Sequence, residues 1–243
     1  MSQPLEPPVT IAIDGPSGSG KSSVSKAVAR ELGLTYLDTG AMFRALALWC
    51  VREGIDLADQ DAVEQASRTF PLEMGTDPAA PAVHLAGADV GPDIRTQEVS
   101  AVVSRVATNL GVRAVLRELQ RDLIRQARET GPGIVVEGRD ITTVIAPDAE
   151  VRVLLTASEE ARLARRAKEL YDTADAQALA ATHDLVVRRD QDDATVSAFF
   201  EPADGVVGID TSSLTFAQSV AAVLDVARSA APQDQQTPDG GDR

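Results

Sequence analysis

The sequence of 243 residues contains one cysteine, few aromatic side chains and only three lysines. Cys50 has no partner for an internal disulfide, and it lies in an apolar run typical of a protein core. Aromatic residues are 3% of the chain, so aliphatic and alanine side chains should build the core. No segment approaches the ~20 apolar residues of a membrane helix, and the N-terminus lacks the basic start and apolar stretch of a signal peptide. We therefore expect a cytoplasmic protein with no membrane partner.

The charge balance is strongly acidic, with a formal net charge of -14. Bulk electrostatics of this sign argue against binding to nucleic acid or to an anionic membrane. An acidic protein with acidic substrates must concentrate its cations locally. Nearly all of its cations are arginines, which suit bidentate capture of phosphate, although a genomic bias explains the preference equally well.

A phosphate-binding loop follows the first apolar run. Gly15, Gly20, Lys21 and Ser22 fill the pattern G-x-x-x-x-G-K-[ST], between a buried-strand pattern and a helical pattern. Glycine and other small residues let consecutive backbone N–H groups wrap a triphosphate at a helix N-terminus, where the dipole favours anions. The lysine reaches the β- and γ-phosphates, and the serine hydroxyl is placed for Mg²⁺. The predicted nucleotide-binding residues are Gly15, Pro16, Ser17, Gly18, Ser19, Gly20, Lys21, Ser22 and Ser23.

Strand and helix patterns alternate along the chain and predict an α/β fold with a parallel, doubly wound, five-stranded sheet flanked by helices. The predicted strands span 9–13, 35–37, 134–136, 151–155 and 206–209. In such a sheet, ligands bind outside the C-terminal ends of the strands. We therefore expect the functional residues at that edge.

The main domain is predicted over residues 9–231, between a loose lead at 1–8 and a polar, disordered tail at 232–243. Residues 56–94 change in character, with brief apolar stretches broken by Gly, Pro and Asp, and they predict a small inserted subdomain of hairpins. Residues 159–200 read as two helices, which we interpret as a helical lid.

Charged and polar residues follow the predicted strands and indicate a second phosphate site beside the loop. They are Asp38, Thr39 and Arg44 after the second strand, Glu137, Arg139 and Asp140 after the third, and Arg162, Arg165 and Arg166 after the fourth. The last three share one helix face, so they either close over a phosphate or pair with nearby glutamates. Asp14 either holds a metal-bound water or is a structural acid of the loop.

Several motifs together resemble the bacterial cytidylate kinases of the nucleoside monophosphate kinase group. They are I-D-G-P-S-G-S-G-K-S-S from Ile13, L-D-T-G-A-M-F-R at 37–44, D-I-R-T-Q-E-V at 93–99, V-V-E-G-R-D-I at 135–141 and P-D-A at 147–149. The similarity covers about residues 9–227, and the insertion at 56–94 is similar to the enlarged monophosphate-binding region of this family. The phosphate-binding loop alone indicates only a nucleoside triphosphate, whereas the other blocks are more specific.

The resemblance implies ATP- and Mg²⁺-dependent phosphorylation of CMP and dCMP in pyrimidine nucleotide metabolism. Thr39, Arg44 and Arg139 match positions that hold the acceptor nucleotide, Ser104, Arg113 and Asp140 match positions that read cytosine, and Arg189 and Asp193 match positions near the sugar. Lys21, Arg44, Arg139 and Arg162 are the expected catalytic residues, and Ser22 is the expected metal ligand. No nucleic-acid partner is expected, and the working expectation is a monomer.

Two positions depart from the family pattern. Phe43 stands where the family usually has tyrosine, and Val196 stands where it usually has an arginine, so one cationic contact is lost. Arg188 or Arg189 can replace that contact, or activity is reduced.

Other functions stay open: a kinase for UMP, AMP, dTMP or shikimate, or a degenerate kinase that binds nucleotides without turnover. A guanine-specific switch is disfavoured, since the N-K-x-D signature is absent and the sole Asn is Asn109.

Overall fold

The computed structural model describes residues 8–230, apart from the side chains of residues 169, 170, 184 and 185. The predicted lead, except for residue 8, and the predicted tail at 232–243 lie outside the described residues. In chain order the first elements are β1 (Val9–Asp14), α1 (Lys21–Leu32), β2 (Thr35–Asp38), α2 (Thr39–Arg52), α3 (Gln60–Ser67), β3 (Leu72–Met74), β4 (Val83–Leu85), β5 (Ala88–Asp89), a 3₁₀ turn (Asp93–Arg95), α4 (Gln97–Ala107) and α5 (Leu110–Thr130). The remaining elements are β6 (Gly133–Gly138), a π-helical turn (Ile141–Ile145), β7 (Val151–Thr156), α6 (Glu159–Tyr171), α7 (Ala176–Ala194), β8 (Val207–Asp210) and α8 (Phe216–Ala230).

The main sheet has the strand order β2-β6-β1-β7-β8, and all of its neighbouring strands are parallel. The predicted doubly wound, five-stranded α/β fold is thereby confirmed. β1 lies at the centre, where Ile13 faces Glu137 of β6 on one side and Val153 of β7 on the other. The strand order reverses direction beside β1, so a crevice opens at the carboxyl ends of these three strands.

Helices cover both faces of the sheet because alternate residues of each strand point to opposite sides. In β1, Ile11 and Ile13 pack with α1 and α8, whereas Ala12 packs with α2 and α5. The whole of β1 is buried, as expected for the central strand of a parallel sheet. This packing fixes the position of the loop that leaves β1.

The region around the predicted insertion contains α3 and a small antiparallel sheet with the strand order β3-β4-β5. Val83 and Leu85 of β4 are buried in the same apolar cluster as the residues of α2. This small sheet therefore packs on the main body through α2.

Within residues 8–230, no single helix has the length and apolarity needed to cross a membrane. The helices α4 and α5 together have that length and composition, but they are bent by 98° relative to each other.

Two helix boundaries differ from the sequence pattern, which predicts one helix over residues 112–129 and another over 174–190. α5 begins at Leu110 because the side chain of Asn109 accepts a hydrogen bond from Val112 N and caps the helix. α7 continues past Asp190 to Ala194, which places Asp190 and Asp193 one turn apart on the same helix. Asp190 accepts a hydrogen bond from Ser17 N of the loop after β1, and both acids pair with Arg139.

Candidate active site

The loop after β1 has the backbone conformation that a phosphate-binding loop requires. Gly18 has φ +78°, and a Cβ at this position would lie 2.7 Å from the carbonyl oxygen of Arg162, so only glycine fits. Gly20 also has a positive φ and immediately precedes α1, which begins at Lys21. The loop thus presents backbone N–H groups at a helix N-terminus, where the dipole attracts anions.

One cavity of about 540 Å³ extends from this loop across the carboxyl edge of the sheet. Most of the residues that the sequence predicted for the site line it: Ser17, Gly18, Ser19, Gly20, Lys21, Ser22, Ser23, Thr39, Arg44, Arg113, Arg139, Asp140, Arg189 and Asp193. The predicted residues that do not line it are Gly15, Pro16, Ser104 and Arg162. Leu214, Phe216 and Ser219 close the cavity at the end near α8.

Cations converge on the middle of this cavity, where burial and neighbouring positive charge lower the pKa values of Lys21 and Arg44. Burial, followed by the charge of Arg139, lowers the pKa of Lys21 to about 8. Burial, followed by the charges of Arg189 and Arg166, lowers the pKa of Arg44 to about 9. Buried like charges oppose ionisation, so such a cluster is stabilised when anions enter it. The electrostatics therefore suit a polyanionic ligand.

Arg44 is held deep in the wall of the cavity. Its side chain is on α2 and nearly buried, and Nη1 donates to the carbonyl oxygen of Ile94 at 3.1 Å and to Ser100 Oγ at 2.8 Å. These bonds come from the segment that leads out of the inserted sheet and from α4. The guanidinium is therefore fixed by elements distant along the chain.

Arg139, which follows β6, contacts both the loop and α7. Its Nη1 donates to the carbonyl oxygen of Gly15 at 2.8 Å, and its Nε donates to Asp193 Oδ2 at 3.1 Å. The guanidinium carbon also lies 5.0 Å from the centroid of the Phe199 ring, within cation–π range. This arginine therefore has a fixed orientation before any ligand enters.

Arg162, on α6, is attached to the outside of the same loop. Its Nη1 donates to the carbonyl oxygen of Ser17 at 3.0 Å and to Asp190 Oδ2. The other oxygen of Asp190 accepts a hydrogen bond from Ser17 N at 3.0 Å. The buried Asp190 thus ties α6, α7 and the loop together, a contact that no sequence motif indicated.

A carboxylate that the sequence placed at a strand end without a role, Glu137, lies at the base of the loop. Ser22 Oγ donates to its Oε2 at 2.9 Å, and Tyr36 Oη donates to its Oε1 at 2.5 Å. Glu137 is 2% exposed, and burial, together with the charge of Asp38, raises its pKa. The pairing of β2 and β6, with Asp38 opposite Glu137, brings these groups together. Hydroxyl and carboxylate oxygens are ligands that Mg²⁺ accepts.

The residues expected to read cytosine are brought together in part. Arg113 Nη2 donates to Asp140 Oδ2 at 2.5 Å, and both side chains are mostly buried. The Arg113 guanidinium carbon is 5.9 Å from the ring centroid of Phe43. Ser104 is not in the cavity wall, whereas Val103 and Ala107 of the same helix are. The helix α4 therefore turns its Val103–Ala107 face, rather than Ser104, toward the cavity.

Asp14 has a structural position in this molecule. It is 1% exposed, and its carboxylate accepts hydrogen bonds from Ile141 N at 2.9 Å, Thr142 N at 2.8 Å and Thr142 Oγ1 at 2.7 Å. These bonds hold the π-helical turn that follows Asp140, and Asp14 does not line the cavity. Of the two readings that the sequence left open, the structural acid fits this geometry.

Comparison with known proteins agrees with the motifs. The family model for cytidylate kinase matches residues 11–229. The chain is 47% identical over 219 residues to a cytidylate kinase of Streptomyces avermitilis, covering 90% of this chain and 92% of that protein. It is 48% identical over 221 residues to one of Cutibacterium acnes (90% and 96%) and 49% identical over 205 residues to one of Rhodococcus opacus (84% and 88%). The resemblance inferred from the motifs is confirmed, and the chain belongs to the cytidylate kinase family of P-loop kinases.

Proposed function

We propose that the chain transfers the γ-phosphoryl group of ATP to the 5′-phosphate of CMP or dCMP, giving ADP and CDP or dCDP. One observation carries this proposal. A single cavity joins the phosphate-binding loop to the Arg113–Asp140 pair, and the cations Lys21, Arg44 and Arg139 line it between them. Two nucleotides bound at its ends would bring their phosphates together among these cations.

The donor end is proposed to hold ATP. Backbone N–H groups of Gly18–Ser22 and the ammonium of Lys21 bind the donor phosphates. The Ser22 hydroxyl and the Glu137 carboxylate, which are 2.9 Å apart, fit a magnesium ion, directly or through its water shell. When bound, the ion neutralises charge on the β- and γ-phosphates. Tyr36 holds Glu137 toward this position.

The acceptor end is proposed to hold the monophosphate through Thr39, Arg44 and Arg139, with Arg189 and Asp193 near the sugar. Arg44 and Arg139 are oriented by protein contacts, so they can aim an acceptor phosphate oxygen at the γ-phosphorus. That oxygen forms the new P–O bond as the bond to the β–γ bridging oxygen breaks. No strong general base is needed, because the nucleophile is already an oxyanion.

The base is proposed to be read by Asp140 and Arg113. The amino group of cytosine is a donor and suits the carboxylate, whereas its ring nitrogen and carbonyl oxygen are acceptors and suit the guanidinium. Uracil presents a carbonyl in place of the amino group and would face Asp140 unfavourably. Ser104, which the resemblance assigned here, requires a movement of α4 to reach the cavity.

We propose that residues 56–94 form the acceptor-binding subdomain and that residues 159–200 form a lid. Arg162, which pairs with Asp190 and does not line the cavity, would bring positive charge to the transferring group only if closure of the lid released it from these contacts; closure would also help to exclude water, which would otherwise hydrolyse ATP. A cytoplasmic monomer is the simplest arrangement for an enzyme of two small-molecule substrates.

The reaction is tested by measuring ADP release with ATP·Mg²⁺ and a panel of CMP, dCMP, UMP, AMP and dTMP. We expect rapid turnover of CMP and dCMP and far slower turnover of the others. A reaction without an acceptor gives the background rate of ATP hydrolysis. Preferred turnover of another monophosphate would overturn the assignment of Asp140 and Arg113, and no turnover with retained ATP binding would overturn the reaction itself.

A further inference from the structure

The segment that follows α7, residues 195–200, contains the largest departure from the family pattern. It carries Val196 where the family usually has an arginine, followed by Ser197, Ala198 and two phenylalanines. Of the two arginines named as replacements for that contact, Arg188 is exposed and does not line the cavity, whereas Arg189 lines it. The segment itself contacts two other arginines of the acceptor site, Arg113 and Arg139.

Ser197 holds the arginine of the base-reading pair. Arg113 Nη2 donates one hydrogen bond to Asp140 Oδ2 at 2.5 Å and another to Ser197 Oγ at 2.7 Å, and Nη1 donates to the carbonyl oxygen of Ala107 at 3.1 Å. A planar guanidinium has five N–H donors, and these contacts use three of them. The plane of the group is therefore fixed, and the other donors are available to a ligand.

Phe199 supports the other arginine. Its ring is fully buried against Leu154 and Val206, and the guanidinium carbon of Arg139 lies 5.0 Å from the ring centroid. Arg139 also donates to the loop through Gly15 and to α7 through Asp193. The ring thus forms a rigid apolar platform beneath a cation that faces the cavity.

We propose that Ser197 and Phe199 are positioning residues of the acceptor site. Ser197 fixes Arg113 for recognition of the pyrimidine edge, and Phe199 fixes Arg139 for the acceptor phosphate. This inference rests on the proposed function, since it assigns a task to residues that support the same site.

Ser197→Ala tests the first half of the proposal. We expect a rise on the order of tenfold in KM for CMP, because a hydrogen bond to a charged group is lost and Arg113 can turn. KM for ATP should stay within twofold, and the preference for CMP over UMP should fall. Ser197→Thr keeps the hydroxyl and should restore both values. Ser229→Ala, an exposed site on α8, is the matched control.

Phe199→Leu tests the second half, with Val206→Ala as a control that disturbs the same apolar cluster but keeps the aromatic ring. We expect Phe199→Leu to lower kcat/KM for CMP several-fold more than Val206→Ala at equal loss of thermal stability. Equal kinetic effects in the two variants would mean that the ring contributes packing only, and would overturn this half.

Turnover by the wild-type enzyme distinguishes a failure of the role proposed for Ser197 from a failure of the proposed function. If wild type phosphorylates CMP and Ser197→Ala changes neither KM for CMP nor the CMP-to-UMP preference by more than twofold, the role of Ser197 is wrong and the proposed function stands. An equal fall in turnover of all substrates, with a lower melting temperature, would likewise overturn the role. If wild type fails to phosphorylate CMP, the proposed function fails, and titration of CMP binding to wild type and Ser197→Ala decides the positioning role separately.

Discussion

The donor end of the cavity is formed by one continuous segment between β1 and α1, whereas the acceptor end takes Arg44, Arg113 and Asp140 from three elements distant along the chain. The geometry of the donor loop is decided locally, by glycines with positive φ and by the start of a helix. The acceptor end exists only after α2, α5 and β6 have packed together. The orientation of the acceptor end therefore depends on contacts between elements distant along the chain, such as that of Ser197 with Arg113.

The largest effect is expected at the donor end. Lys21→Ala removes the ammonium proposed to bind the donor phosphates, and we expect kcat to fall on the order of a hundredfold or more, as with loss of one transition-state donor. Arg30→Ala, an exposed change in the last turn of the same helix, should leave kcat within twofold. Steady-state ADP release measures both, and a near wild-type rate in Lys21→Ala would contradict the assignment of the donor end.

The next effect is expected at the acceptor end. Asp140→Asn replaces the acceptor for the cytosine amino group and also leaves Arg113 without its charge partner. We expect kcat/KM for CMP to fall on the order of a hundredfold, while KM for ATP changes little. A loss shared equally by both substrates, with a large drop in melting temperature, would show that the pair supports the fold and does not read the base.

The sequence predicted more of the donor end than of the acceptor end: residues 17–23 line the cavity as expected, whereas Gly15, Pro16 and Ser104 do not. The five strands and the loop follow from hydrophobic runs and a motif, both of which are local properties. The contacts of Glu137, Asp190 and Ser197 depend on strands or helices more than a hundred residues apart, or on the exact end of a helix, and no local pattern encodes them. Ser104 shows the converse, since a matched motif position does not fix which face of α4 meets the cavity.

A smaller effect is expected from Tyr36→Phe, which tests whether the donor end depends on residues outside the loop and α1. Tyr36→Phe removes the 2.5 Å hydrogen bond to Glu137, so the carboxylate beside Ser22 loses its orientation. We expect kcat to fall roughly tenfold, as for the loss of a hydrogen bond to a charged group, and a higher Mg²⁺ concentration to be needed for half-maximal rate. Affinity for ADP without Mg²⁺, measured by calorimetry, should be unchanged.

If Tyr36→Phe instead leaves the Mg²⁺ dependence unaltered, Ser22 alone is enough to orient Glu137. Tyr36, which lies outside the loop and α1, would then contribute nothing to the donor end. Tyr171→Phe, a half-exposed tyrosine at the end of α6, serves as the control for removal of a hydroxyl.

The smallest kinetic effect is expected from Asp14→Asn, which lies at the junction of the two ends. Asp14 ends the strand that leads to the donor loop, yet its carboxylate holds the turn that follows Asp140. An asparagine keeps one acceptor oxygen but turns an amide donor toward backbone N–H groups, so the free energy of unfolding should fall by about 2–3 kcal/mol in urea titrations. Because the turn belongs to the acceptor end, KM for CMP should rise a few-fold while KM for ATP stays constant. A rise in KM for ATP instead would place Asp14 among the donor groups. The donor end would then depend on the contact between Asp14 and the turn after Asp140, and it would not be formed by the loop alone.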